Sequence, residues 1–208
     1  MRAMDVDTAA SARDVQQEKL FHETMRWMQE HTGQILLSLE DNDWTTIITL
    51  HAIVETTLNA ALVKHLQTPE LSQLIAKLSI GNTGTGKIAF AKALKILEPK
   101  TIAFIRKLSD LRNLCVHDAR NFRFDLKKHL DNLDGNKRSE LMNPILKSVK
   151  PEERTKLTPQ LALYVGTLNV MTELYIHSLE CKNRDLEREA RELQAQLYKQ
   201  IEARKSSV

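Results

Sequence analysis

Apolar residues recur every three or four positions along most of the chain, which is the spacing of one face of a helix. The pattern is clearest in the segment 43–67, where Asp43 is the predicted N-cap. Its apolar stripe consists of Ile47, Leu50, Val54, Leu58, Leu62 and Leu66. No segment alternates apolar and polar residues over the length of a strand. The pattern therefore predicts an all-α fold, a bundle-like helical domain.

Start and stop signals add further helices. Pro69 opens a short helix that ends at the glycine-rich stretch 81–86, and Pro99 lies in the first turn of a longer helix. Thr158 and Pro159 begin the last helix. The other predicted helices cover 15–39, as one long or two short helices, then 86–97 and 122–133.

The stretch 134–157 interrupts this pattern. It contains Gly135, Pro144, Pro151 and many charged residues. Because glycine and proline punctuate regular structure, the stretch is predicted to be an irregular connection.

The chain divides into three predicted parts. Residues 1–14 are small and polar and predict a flexible N-terminus, and residues 15–178 form one helical domain. Residues 179–208 continue the last helix but are highly charged, so we expect this helix to project from the domain. Leu179, Leu186 and Leu193 lie seven apart, which is consistent with either a short coiled coil or a solvated tail.

Composition narrows the protein class. The two cysteines, Cys115 and Cys181, are too few and too far apart to indicate a disulfide framework or a zinc site, which favours a reducing compartment. There is no run of about 18 apolar residues and no signal-peptide pattern at the start. These features predict a cytoplasmic protein with no membrane contact.

Positive charge is concentrated in the middle of the chain. The range 87–128 holds 11 Lys and Arg against 4 Asp and Glu, a local charge of +7 in a chain whose net charge is +3. This asymmetry favours an anionic partner such as RNA, although lysines on solvated helix faces produce the same excess. The candidate nucleic-acid-binding residues are Arg106, Lys107, Arg120 and Arg123.

The stretch GNTGTGK, residues 81–87, has the GxxxxGK spacing of a phosphate-binding loop. Ile88 stands where that loop needs a Ser or Thr hydroxyl for magnesium, and the segment before it is predicted to be helix rather than strand. A glycine-rich turn between two helices is therefore the favoured interpretation.

The strongest functional pattern is LRNLCVHD, residues 111–118. Asn113 and His117 are four apart and share a helix face, and the long side chain of Arg112 can reach the same space. An Arg binds phosphate oxygens through its planar fork, while a His titrates near neutral pH and can move protons. Basic residues at the end of a helix also cap carbonyl groups, which is the structural alternative.

This RxxxxH pattern resembles that of HEPN domains. The order of ETTLNAALVKHL, GKIAFAKALKIL, the motif helix and TPQLALYVGTLNVMTELY is similar to the subgroup of mannitol operon repressor-like proteins, over about residues 43–178. The resemblance implies an antiparallel helical bundle. It also implies a metal-independent endoribonuclease of toxin or defence type, with Arg112, Asn113 and His117 as catalytic residues. Such a site needs no cofactor, because the RNA 2′-hydroxyl is the nucleophile.

Other residues enter the prediction in supporting positions. Asp118 can pair with His117 or Arg112 or simply belong to the turn that follows, and Glu55 either approaches Arg112, as family packing implies, or lies on the surface. Cys115 is predicted to be a core residue. Trp44 and Trp27 are expected to pack rather than stack on bases.

The remaining histidines show no ligand spacing, so no metal site is predicted, and most of them are expected to be exposed or satisfied locally. They are His22, His31, His51, His65, His129 and His177.

Two functions stay open at this stage. The first is the endoribonuclease, with RNA as substrate and a protein antitoxin as a candidate partner. The second is a non-catalytic transcriptional regulator or protein-interaction module, as the similarity to the repressor-like subgroup implies, with the charged helix as the element that binds a regulatory partner. The resemblance also implies a homodimer that pairs through the motif-bearing side.

Overall fold

The computed structural model describes residues 30, 42–82, 84–117, 122–149, 151–152 and 154–205. This part of the chain is mostly helical and contains no strand, which confirms the predicted all-α class. The predicted flexible start at 1–14 and, apart from Glu30, the predicted helices of 15–39 lie outside the described residues.

The architecture is built around three long helices. The first of them in chain order packs against the other two, and a shorter helix packs on the second. In chain order the α-helices are α1 (Asp43–Leu66), α2 (Ser72–Lys77), α3 (Lys87–Ala93), α4 (Pro99–His117), α5 (Leu126–Asp131), α6 (Gly135–Lys147) and α7 (Pro159–Lys205). Thus α1 packs against α4 and α7, and α6 packs on α4.

The start of α1 differs by one residue from the prediction. Asn42, not Asp43, is the N-cap, since its side chain accepts a hydrogen bond from the Thr45 amide at 2.9 Å. Asp43 is the first helical residue, and its Oδ2 instead accepts from the Leu126 amide at 2.6 Å and from Gln160 Nε2 at 3.3 Å. The carboxylate therefore joins α1 to α5 and α7.

The predicted apolar stripe of α1 is the centre of the core. Ile47, Leu50, Val54 and Leu58 are all 0% exposed, and Leu62 is 1% exposed. By length and composition alone, α1 is also the one helix in the described part of the chain that could cross a membrane. Its stripe packs against other helices of the bundle, as in the core helix of a soluble protein, and the cytoplasmic location remains a prediction.

The predicted helix 86–97 is shorter in the structure. It ends at Ala93, because Lys95 adopts a left-handed conformation with φ 55° and the Ile96 amide donates to the Ala91 carbonyl at 2.9 Å. Ile96 and Leu97 are buried although they are not helical. Their apolar spacing reflects core packing beyond the end of the helix.

The predicted irregular connection 134–157 is wrong for most of its length, because it contains α6. Asp134 caps this helix by accepting from the Lys137 amide at 2.9 Å. Ile145 is fully buried, and Leu141 is partly buried against the core one turn earlier. Pro144 sits within the last turn of the helix. Burial of a narrow apolar stripe outweighs the breaker residues and the charges.

Helix α7 begins as predicted, with the Thr158 hydroxyl accepting from the Leu161 amide at 3.2 Å. It runs without interruption for 47 residues. Residues 162–181 supply one side of the core, whereas side chains from Leu186 to Tyr198 are exposed. The charged segment is thus a direct continuation of a core helix.

One close approach in the core gives a stability test. A Cβ added at Gly166 in α7 would lie 2.2 Å from the ring of Phe104 in α4, and Phe104 is fully buried. We expect Gly166→Ala to lower the free energy of unfolding by about 1–3 kcal/mol, because the ring must shift in a filled core. Urea unfolding measures the change.

The matched control is Gly135→Ala, since a Cβ there meets nothing within 4 Å. This variant should be as stable as the parent or slightly more stable. Equal stability of the parent and Gly166→Ala would contradict the close packing of α4 on α7.

Candidate functional site

A cavity of about 680 Å³, here called the α4 cavity, opens beside α4. Its walls come from α1, α4, the loop before α3, and Pro144 of α6. The polar and charged side chains that line it are His51, Glu55, Ser79, Arg106, Lys107, Ser109, Asp110, Arg112 and Asn113.

Arg112 and Asn113, two of the three predicted catalytic residues, meet in this cavity. Arg112 Nη1 donates a hydrogen bond to Asn113 Oδ1 at 3.2 Å. Arg112 is half-buried and Asn113 exposed, so a ligand in the cavity can reach both. The helix itself brings them together because they are neighbours in α4.

His117 is not among the residues that line the cavity. It is the last residue of α4, one turn beyond Asn113, and its side chain is exposed. The structure therefore places Arg112 and Asn113 in one cavity and His117 on the adjoining surface. Asp118 and Arg120 lie outside the described residues.

The histidine that lines the cavity is His51 of α1, which the sequence interpretation left among the exposed or locally satisfied histidines. It is only 6% exposed, and its Nε2 lies 3.3 Å from Ser109 Oγ. Its Nδ1 lies 3.9 Å from a carboxylate oxygen of Glu55. A signal was present in the sequence: His51 directly follows Leu50 and precedes Val54 by three positions, on the face predicted to be core.

Burial lowers the pKa of His51 below its ordinary value of 6.5. The negative charge of Glu55 opposes this effect, and the positive charges of Arg112 and Lys87 add to it. His51 is therefore neutral at physiological pH and can accept a proton.

Lys87, the lysine of the apparent phosphate-binding motif, is fully buried. Its ammonium group pairs with Glu55 and donates to the Ala76 carbonyl at 3.1 Å. A buried ammonium group requires such partners, because desolvation of an unpaired charge is costly. Glu55 thus lines the same cavity as Arg112, but its ion pair is with Lys87.

The backbone amides of the loop before Lys87 donate hydrogen bonds to acceptors within the loop itself. The Gly84 and Thr85 amides donate to Asn82 Oδ1 at 2.9 and 3.1 Å, and the Gly86 amide donates to the Asn82 carbonyl at 3.0 Å. A Cβ at Gly86 would lie 2.4 Å from the Ser79 carbonyl oxygen, so glycine is required there. The stretch is a turn between helices α2 and α3, as the favoured interpretation had it.

The predicted nucleic-acid-binding residues fall in two places. Arg106 and Lys107 line the α4 cavity, where Lys107 pairs with Glu140 at 3.2 Å and with Asp110 at 3.4 Å. Arg106 Nε is buried and has no hydrogen-bond partner within the part of the chain described. Arg123 lies elsewhere, with its guanidinium 5.3 Å from the centre of the Phe122 ring.

Two further predictions concern the end of α4. Cys115 is buried, and burial, with the charge of Asp43 adding to it, raises the pKa of its thiol to about 11. It is therefore no nucleophile at neutral pH. Trp44 packs, since its Nε1 donates to the Cys115 carbonyl at 3.0 Å, and Trp27 lies outside the described residues.

Comparison with protein-family models, with characterised proteins and with solved structures finds no match to this chain. The likeness to HEPN domains therefore rests on residues 111–118 and the helix order alone.

The lowered pKa of His51 sets a direction for the pH dependence of stability. The unfolded chain binds a proton at His51 below pH 6.5, whereas the folded chain does so only at lower pH. Its contribution to stability is thus complete above that pH and is lost as the pH falls toward the lowered pKa. We expect His51→Gln to lose less stability than the parent between about pH 7.5 and about pH 5.5.

Chemical unfolding at the two pH values measures this difference. The pKa values of His129 and His177 are also lowered by burial, but both residues remain in parent and variant, so their contribution cancels. An identical pH dependence in the two proteins would show that His51 takes up its proton as readily in the folded chain as in the unfolded one.

Proposed function

We propose that the α4 cavity binds the phosphate groups of RNA and that the chain is a metal-independent endoribonuclease, as the HEPN-like motif implies. The observation that carries the proposal is the convergence of Arg106, Lys107 and Arg112 with Asn113 and His51 around one cavity. Together these residues provide groups that bind an anion and a group that accepts a proton.

Charge supports the first step, which is binding. Three cationic side chains line the cavity against two carboxylates, Glu55 and Asp110. Lys87 neutralises Glu55 and Lys107 pairs with Asp110, so the guanidinium groups of Arg106 and Arg112 supply the remaining positive charge. Phosphate oxygens accept hydrogen bonds from guanidinium groups in paired geometry, so Arg112 and Arg106 suit a bridging phosphate better than lysines would.

The second step is proton removal from the ribose 2′-hydroxyl. The oxygen then attacks the adjacent phosphorus, and the bond to the 5′-oxygen of the next nucleotide breaks as that oxygen takes up a proton from a protonated histidine or water. A 2′,3′-cyclic phosphate and a 5′-hydroxyl end form. Arg112 stabilises the charge that develops on the phosphoryl oxygens. His117 is the histidine that the motif assigns to proton transfer, and His51 is the neutral histidine that lines the cavity.

A homodimer would complete the site. Val116, which is 38% exposed, lies next to His117 on α4 and one turn from Arg112. A two-fold pairing through this surface would bury apolar area and bring two copies of Arg112, Asn113 and His117 to one cleft. The positive potential of both copies would then act on a single RNA strand.

A second function has an observation of its own. On the projecting part of α7, Leu186, Leu193 and Leu197 are 40%, 66% and 58% exposed, respectively. Leucines seven apart on an exposed helix favour pairing with another helix. Such a surface suits a non-catalytic regulator, or the docking of an antitoxin or regulatory protein onto the nuclease.

The decisive experiment is cleavage of a labelled single-stranded RNA in EDTA, with end-group analysis. We expect 2′,3′-cyclic phosphate ends from the parent protein and a loss of about 100-fold or more in rate for His117→Ala. Arg112→Lys should also cut slowly, because it keeps the charge but loses the paired hydrogen bonds. Arg138→Lys is the matched control, since Arg138 pairs on the surface with Asp131 outside the cavity.

His51→Gln distinguishes the two histidines. If only this variant loses cleavage, the cavity histidine is the base and the motif histidine is not. If neither His117→Ala nor His51→Gln cuts more slowly than the parent, the nuclease proposal is wrong. Filter binding at several salt concentrations should show RNA affinity that falls steeply with salt.

The dimer is tested separately by sedimentation. We expect the parent to be a dimer at tens of micromolar, where an association free energy of about −6 to −7 kcal/mol suffices, and Val116→Glu to be a monomer. A monomeric parent, or a Val116→Glu dimer, would exclude pairing through this surface. Glu introduced at Ile176, which is 49% exposed on α7, is a control that leaves the α4 surface intact.

A further inference from the structure

Three side chains of the kind that bind transition metals meet where the end of α1 lies against α7. His65, His177 and Cys181 each offer one ligand atom, and these atoms lie within 4.8 Å of one another. His65 Nδ1 is 2.8 Å from His177 Nε2. Cys181 Sγ is 3.5 Å from His177 Nε2 and 3.9 Å from His65 Nδ1. None of the three residues lines the α4 cavity.

The separations match those of a tetrahedral metal site. Bond lengths of about 2.0–2.1 Å to nitrogen and about 2.3 Å to sulfur place two nitrogens about 3.3 Å apart and a nitrogen and a sulfur about 3.6 Å apart. The three observed separations differ from these values by about half an ångström or less. The three atoms are therefore close enough together for one ion to bind all of them.

The ligand nitrogens of the two imidazole rings face each other. Their centroids are 5.0 Å apart and their planes differ by 21°. With nitrogens only 2.8 Å apart, those nitrogens must lie close to the line between the centroids, so the rings meet edge to edge rather than face to face. Without an ion, one ring nitrogen donates a hydrogen bond to the other. A metal ion replaces that proton and accepts both lone pairs.

The surroundings hold this geometry. His177 and Cys181 are four apart in α7 and share a face. The other ring nitrogen of His177, Nδ1, lies 4.0 Å from the Glu180 carboxylate, which is too far for a hydrogen bond but places a negative charge near the site.

The site has room for a fourth ligand. A cavity of about 350 Å³ opens onto His65 and Cys181 and also contacts Gln67, Arg184, Asp185 and Arg188. Arg184 Nη2 donates to Cys181 Sγ at 3.2 Å, so the sulfur already acts as an acceptor. Three protein ligands with an open fourth position form the pattern of a metal site that binds water or a small ligand.

We propose that His65, His177 and Cys181 bind a divalent transition metal ion of the zinc class. Nitrogen and thiolate ligands favour Zn²⁺ over magnesium or calcium, which prefer oxygen. The ion would join the end of α1 to α7 just before the charged segment. This site is independent of the proposed RNA cleavage, which needs no metal.

The test uses the full chain, freed of metal by a chelator and titrated with Co²⁺ and then with Zn²⁺. We expect one Co²⁺ per chain, with a thiolate charge-transfer band in the near ultraviolet and the visible bands of a tetrahedral site, all of which Zn²⁺ abolishes by displacement. Cys181→Ala should lack the charge-transfer band. Cys115→Ala, which removes the other buried cysteine, should keep it.

Affinity measurements test the contribution of the two histidines to metal binding. His65→Gln and His177→Gln should each weaken Zn²⁺ binding by about 100-fold or more. Zn²⁺ should raise the Tm of the parent and leave that of His177→Gln unchanged.

Absence of the charge-transfer band in the parent at a molar excess of Co²⁺ would overturn the proposal and leave the trio as a hydrogen-bonded histidine pair beside a buried thiol. Equal Zn²⁺ affinity of the parent and His65→Gln would overturn it as well. These two measurements decide the matter even if Cys181→Ala fails to fold.

Discussion

The burial of α1 between α4 and α7 is the constraint on which the rest of the molecule depends. Each large apolar side chain of its stripe contributes roughly 1.5–3 kcal/mol when fully buried, so the stripe fixes the rotation of α1 about its axis. That rotation determines where its polar residues point. His51 and Glu55, near the middle of the helix, face the α4 cavity, and His65, near its end, faces α7. Both candidate sites are therefore consequences of one packed helix.

Sequence periodicity predicted the helices well because helical order is local, and burial imposes the same spacing wherever a helix meets the core. It failed where burial and local signals disagree. Ile96 and Leu97 are buried beyond the end of α3, and the charges and proline of α6 concealed the short stripe around Ile145. Arg112 and Asn113 could be paired from sequence because they are neighbours on one helix. His51 with Ser109, and His65 with His177, are 58 and 112 residues apart, respectively, and only tertiary packing joins them.

The buried Lys87 shows how a motif can be present without its chemistry. In a phosphate-binding loop the lysine and the backbone amides face an anionic ligand. Here the ammonium group is neutralised by Glu55 and a carbonyl, and the amides close the turn on Asn82 and Ser79. The ion pair also removes one carboxylate charge from the α4 cavity, which leaves the guanidinium groups to dominate the local potential. A residue pattern associated with nucleotide binding thus contributes to the fold and, indirectly, to the charge of a different site.

Helix α7 belongs both to the core and to the solvent-exposed extension. At about 1.5 Å per residue its 47 residues span about 70 Å, and the part from Leu186 to Lys205 accounts for about 30 Å. Because the helix is continuous, the core side chains at its other end determine the direction around the helix axis in which the exposed leucines point. Insertion of a single residue between the core and the extension would turn everything beyond it by about 100° around the helix axis. Any protein that docks on those leucines therefore meets the domain at one distance and in one orientation.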